Sequence, residues 1–109
     1  MALNIATLLF GITGILGIYL SALVLRGKPS SKPVILFHGL FSVSGFVLLT
    51  KSLPETLTAL ILLSIATCCG LVLLYQDIKG KEHTQWLCYS HGVLTIAGFI
   101  SLLVLAVAA

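Results

Sequence analysis

Charge is what this sequence has least of. Its 109 residues include 6 Lys and Arg, 3 Asp and Glu, and 3 His. The acids Glu55, Asp77 and Glu82 are scattered between apolar segments, so no carboxylate pair is available for acid–base work. No serine, histidine and aspartate share a spacing that suits a nucleophilic triad. The stretch RGKPSS at 26–31 lacks the upstream glycine of a phosphate-binding loop. The basic residues form no stripe and do not interleave with aromatics, which excludes nucleic acid as a partner. Prolines are few, and Pro29, Pro33 and Pro54 all fall outside the apolar segments. Cysteines number 3 and make no disulfide framework. Cys68 and Cys69 are adjacent and point in different directions on a helix, and with Cys88 they read as small packing residues.

What is present is overwhelmingly apolar: 59% hydrophobic residues and a mean hydropathy of +1.18, outside the range of soluble domains. Four apolar segments stand out, at 3–25, 34–50, 57–75 and 86–108. Each approaches the length a helix needs to cross a bilayer, and continuous runs of this length favour helix over strand. The expectation is one all-α domain over 1–109, an integral membrane four-helix bundle with lipid around it. The first segment is read as a helix and not a leader, because MALNIAT carries no Lys or Arg and no small-residue cleavage site follows. Arg26, Lys28 and Lys32 lie between the first two segments, and Lys79 and Lys81 between the last two; only Lys51 lies on the other side. The positive-inside rule then makes loops 26–33 and 76–85 cytoplasmic and turns both termini outward.

The chain also repeats itself. Displaced by 53 residues it pairs Ala6 with Ala59, Gly17 with Gly70, Gly27 with Gly80, Lys28 with Lys81, His38 with His91 and Gly45 with Gly98. In all, 12 of the 56 pairs (109 − 53) are identical, against about four or five expected from composition. Repeat 1 covers 1–53 and repeat 2 covers 54–109. Each is a helical hairpin around RGK or KGK. Two spans per repeat make the repeats parallel, related by a pseudo-two-fold axis along the membrane normal.

The same motif, FHGLFSVSGF at 37–46 and SHGVLTIAGF at 90–99, places one histidine in each repeat. His38 lies six residues past Lys32 and His91 five past Trp86, so the pair sits at one depth on equivalent helices. An ionisable residue at such depth marks a functional site by default. Ser42 and Thr95 lie one turn further along nearly the same face, and Gly45 and Gly98 two turns. Space beside two opposed imidazoles suits a flat ligand. A haem b, one per chain, would take His38 and His91 as iron ligands, with Gly39, Gly92, Ser42, Thr95, Gly45 and Gly98 around it. Its propionates, or lipid headgroups, would meet Arg26, Lys28, Lys32, Lys79 and Lys81. The competing reading makes the histidines hydrogen-bonded packing residues and the glycines close-approach points. Gly11, Gly14 and Gly17 are read as packing only, and His83 as a solvated loop residue. A zinc or copper site from Cys88, His91 and His38 is a third option, although Cys88 corresponds to Ile35 in the first repeat.

On His38 and His91 the plan resembles the small b-type membrane cytochromes, such as bacterial cytochrome b561 proteins and the membrane anchors of quinone-linked dehydrogenases. The likeness covers the bundle plan, and the chain departs from the two-haem eukaryotic pattern, which needs four membrane histidines. The HGL…GFVLL segments also look similar to helices of small bacterial membrane proteins. The resemblance implies a low-spin haem b in the bacterial inner membrane and electron transfer with a quinol or a redox protein; the small size of the chain suits a homodimer or a larger complex. A cofactor-free scaffold or accessory subunit is the alternative. A transporter ranks below both, because no span carries an acid, a Lys or Arg, or a proline.

Overall fold

A computed structural model describes residues 1–108. They form α1 (Ala2–Leu25), α2 (Lys32–Thr50), α3 (Leu57–Ile78) and α4 (Gln85–Ala108), with no strand among the described residues. All four helices are long and apolar enough to cross a membrane. Even α2, the shortest at 19 residues, measures about 28 Å at about 1.5 Å per residue, close to the hydrocarbon thickness. The protein is an all-α four-helix bundle whose outward faces are greasy: Ile15, Ile18, Val43, Val93 and Val104 are all exposed. Such a surface is compatible with a lipid surround.

The helix ends explain the boundary that departs furthest from expectation. The third apolar segment was expected to end at 75, yet α3 continues through Gln76 and Asp77 to Ile78. Polarity does not stop a helix; a left-handed residue does. Gly27 at φ 67° and Gly80 at φ 66° terminate α1 and α3. In each case the N–H two residues past the cap closes on a carbonyl five back, Lys28 to Leu23 and Lys81 to Gln76, both at 2.9 Å. This is the Schellman arrangement, and only glycine adopts that φ without strain. At the start of α2, Pro33 falls in the first turn, where its missing N–H had no intrahelical partner.

Packing runs along each hairpin, α1 against α2 and α3 against α4. The core lies at the end away from the basic loops and consists of Ala6, Phe10, Leu49, Ala59, Leu63 and Leu102. These are three repeat pairs, 6/59, 10/63 and 49/102, so the duplication supplied the core twice. Between hairpins the two-fold relation breaks. α1 packs on α4, whereas α2 and α3 stand apart. One of the differences between the repeats at this level is that position 10 is Phe and position 63 is Leu. Phe46 meets the Phe10 ring edge-on at 5.4 Å. Its counterpart Phe99 has no such ring beside it and lies across the interface, 3.6 Å from where a Cβ on Gly11 would stand.

Candidate functional site

α2 and α4 bring His38 and His91 together in the middle of the bundle, with ring centres 6.3 Å apart and ring planes at 70°. Each imidazole is tied back to its own hairpin. His38 Nδ1 donates to the Thr13 carbonyl at 2.9 Å, and His91 Nδ1 donates to the Ala66 carbonyl at 2.6 Å. The two bonds are one bond made twice, since 13 and 38 become 66 and 91 on adding 53. The Cε1 edge of His38 lies 3.1 Å from a Cβ built on Gly17, and that of His91 lies 2.9 Å from one built on Gly70. No protein group is hydrogen-bonded to either Nε2 among the described residues.

Two cavities adjoin the pair. The larger, about 260 Å³, occupies the cleft where α2 and α3 stand apart and includes both histidines, Gly39 and Ser42 in its wall. It runs toward the basic-loop end, where Ser30, Asp77 and His83 line it. The smaller, about 30 Å³, has His38, His91, Thr13, Ser42 and Thr95 in its wall. Thr13 is 3% exposed and its Oγ1 is the one buried side-chain oxygen without a partner among the described residues. A buried hydroxyl with no acceptor or donor is uncommon. Here it borders a space flanked by two imidazoles. Thr95 is satisfied locally, donating to the His91 carbonyl at 2.7 Å.

Several sequence expectations need correction. The space expected beside Gly45 and Gly98 is taken by protein. A Cβ on Gly45 would stand 2.6 Å from Phe10 Cε2, and one on Gly98 would stand 2.7 Å from Leu63 Cγ. These glycines seat the core side chains of the neighbouring helix, so no ligand face passes over them. Gly92 borders neither cavity. Gly17, read as packing only, together with Gly70, instead makes room for the histidine rings. Of the five clustered basic residues, none lines a cavity. Arg26 and Lys28 are exposed, and Lys79 and Lys81 hold their ammonium groups 6.0 and 5.5 Å from the Tyr75 ring. Lys32 is paired with Asp77 across the open side of the bundle. His83 is no free loop residue: its side chain is 17% exposed and its Nε2 lies 3.5 Å from Asp77 Oδ1. Gln76 fixes this loop by exchanging hydrogen bonds with Thr84 at 2.8 and 3.0 Å. Among the described residues no group of three or more His, Cys, Asp or Glu is placed to hold a metal ion. Cys88, though it lines the larger cavity, does not complete a three-ligand set with the histidines.

The mouth cluster of Lys32, Asp77 and His83 was missed from the sequence, because residues 45 apart in number, on helices that hardly touch, carry no local signal. The glycine seats were visible as the 17/70 identity; Gly17 reads as a packing position from the sequence, and the histidine that packs on it carries no local signal.

His38 and His91 are two imidazoles whose Nε2 atoms have no protein partner among the described residues, a donor set that could hold one metal between them. A carbonyl only accepts, so Nδ1 carries a proton, and the lone pair of either ring in its neutral form is then on Nε2. Metal-bound histidines are held in this manner, with the second ring nitrogen donating to a carbonyl or carboxylate. No family model, curated protein or solved structure matches the chain at a significant level.

Proposed function

We propose that this protein is a membrane b-type haem protein that holds a single haem b between His38 and His91 for electron transfer. The observation that carries the reading is the 6.3 Å between ring centres. A metal–imidazole bond of about 2.0–2.1 Å plus about 1.1 Å from nitrogen to ring centre puts each centre about 3.2 Å from the metal. Rings on opposite sides of one metal would therefore stand about 6.4 Å apart, and rings at a tetrahedral angle about 5.2 Å. The separation has the size that ligation from opposite sides would need, and it lies in the range of ordinary edge-packed rings as well. His38 and His91 would hold the haem, which would supply one-electron chemistry suited to electron transfer. The chain's own part is to hold and orient the two Nε2 atoms and to keep the surroundings apolar. At the mouth, Lys32, Ser30 and His83 are the groups suited to carboxylate arms, with Asp77 competing for Lys32.

The exposed Arg26, Lys28, Lys79 and Lys81 fit a topology signal, contacts to lipid headgroups, or a landing surface for a redox protein. Within the proposal this face is cytoplasmic, both termini lie outside, and the membrane is a bacterial inner membrane. A quinol is the membrane-soluble partner, and a homodimer is compatible with so small a chain.

An absorption spectrum of the detergent-purified protein tests the reading. Sharp reduced α and β bands at one haem per chain, lost in His38→Ala and in His91→Ala, are the expected result. A colourless protein after expression with ample haem overturns it. A second reading, a cofactor-free accessory subunit, draws on the same two hydrogen bonds, which hold each hairpin together without any ligand. It expects the colourless outcome and tolerance of His→Gln.

A further inference from the structure

In a regular α-helix a carbonyl is taken by the N–H four residues on. For the Thr13 carbonyl that N–H belongs to Gly17, and for the Ala66 carbonyl it belongs to Gly70. Side chains on a helix lean toward its N-terminus, so the residue four positions on is the one whose side chain shields such a carbonyl from lateral approach. At both sites this residue is glycine, and the histidine ring occupies the volume its side chain would have filled. Cε1 stands 3.1 Å from the would-be Cβ at Gly17 and 2.9 Å at Gly70. At such distances an alanine methyl and the ring cannot both keep their places. Gly14, on the same helix as Gly17, has nothing within 4 Å of its would-be Cβ, and Gly45 and Gly98 meet Phe10 and Leu63, so it is the approach of a histidine ring that is particular to Gly17 and Gly70.

We propose that Gly17 and Gly70 are positioning residues: each uncovers a helix carbonyl that takes the Nδ1 proton of His38 or His91, and so delivers both rings to the bundle centre in one tautomer with Nε2 free. The seat is a three-part device of glycine, the carbonyl one turn earlier, and a histidine on the partner helix. It occurs twice because the hairpin was duplicated. The tautomer claim stands on the geometry alone. Its consequence for ligation rests on the haem reading given above.

The two claims are separated by measuring them differently. Histidine-selective ¹⁵N NMR of the purified full-length chain, without added haem, reads which ring nitrogen carries the proton. The expected wild-type spectrum has Nδ1 protonated and Nε2 bare in both His38 and His91. Gly17→Ala should shift only the His38 signals and Gly70→Ala only those of His91, with Gly14→Ala shifting neither. A wild-type ring with its proton on Nε2, or an alanine variant that leaves its facing histidine unchanged, overturns the proposal. The wild-type spectrum decides the matter even where an alanine variant does not assemble. Haem titration is the second arm. Disturbing a group that orients a metal ligand weakens metal binding about 10–100-fold, and Gly70→Ala should fall in that range while Gly14→Ala binds as wild type. Absence of haem binding by the wild type overturns the haem reading and leaves the NMR result to decide the seat.

Discussion

Replacing Gly98 by alanine should destabilise the bundle, and replacing Gly92, six residues earlier on α4, should not. Both substitutions exchange glycine for alanine in mid-helix, so the propensity gain of about 1 kcal/mol is common to them and cancels in the comparison. What differs is the space. A Cβ at Gly92 meets nothing within 4 Å, whereas one at Gly98 would stand 2.7 Å from Leu63 Cγ and 2.8 Å from Leu63 Cδ2. Favourable carbon–carbon contact begins near about 3.5 Å, so Leu63 must retreat by most of an ångström. Cγ is the branch point of that side chain and cannot move aside alone; its methyls, packed in the 3% exposed core position, must move with it. Overpacking of this kind costs about 1–3 kcal/mol, and that is the expected difference between the two variants. Reversible unfolding in mixed detergent micelles, followed by circular dichroism as SDS is titrated in, measures it. Adding Leu63→Ala to Gly98→Ala removes the clash, so the double variant should be more stable than the sum of the single effects by a similar amount. Equal stability of the Gly98 and Gly92 variants, with additive behaviour in the double, would refute the claim that core packing fills the second glycine of the repeated motif.

Other expectations concern the helix ends, the mouth of the cleft and the orientation. Gly80→Ala forces a side chain into the left-handed conformation at φ 66° and should cost about 1–2 kcal/mol in the same unfolding assay; Gly27→Ala should match it, and a neutral result at both would undo the shared-cap account. Asp77→Asn removes the charge that faces Lys32, 69% exposed, and His83; because the Asp77 side chain is itself 8% exposed, the loss should be about 1–2 kcal/mol and high salt should remove only part of it. A loss several times larger would mean that the pair holds the hairpins together. For orientation, a chain freed of its own cysteines and given Ser52→Cys should react with an impermeant thiol reagent on intact cells, and one given Lys81→Cys should not. The reverse pattern would place the basic loops outside.

The duplication, the four spans and the pairing of His38 with His91 were all legible in the linear sequence. Each rests on composition or on spacing within one segment: apolar runs of bilayer length, and an identity pattern at a fixed offset. The left-handed caps were half legible, as the shared Gly-Lys of RGK and KGK. What no spacing could assign was the partner of each glycine. Gly45 and Gly98 read as space for a ligand and Gly17 as a packing position, and which side chain enters each one depends on how two helices are rotated against each other. One residue of rotation, about 100°, exchanges one neighbour for another. Tertiary packing gave Gly45 to Phe10 and Gly98 to Leu63, and gave Gly17 and Gly70 to the histidines. It also decided where the two-fold fails. The repeats differ at most positions, Phe10 against Leu63 among them; Phe99 packs on Gly11 while α2 and α3 stand apart, and the cleft beside the histidines opens on that side. Sequence alone determined that two imidazoles would share one depth in a membrane bundle, because depth is counted along a helix. Their facing, their hydrogen bonds and their access to a cleft depend on contacts between helices, and only the assembled bundle contains those.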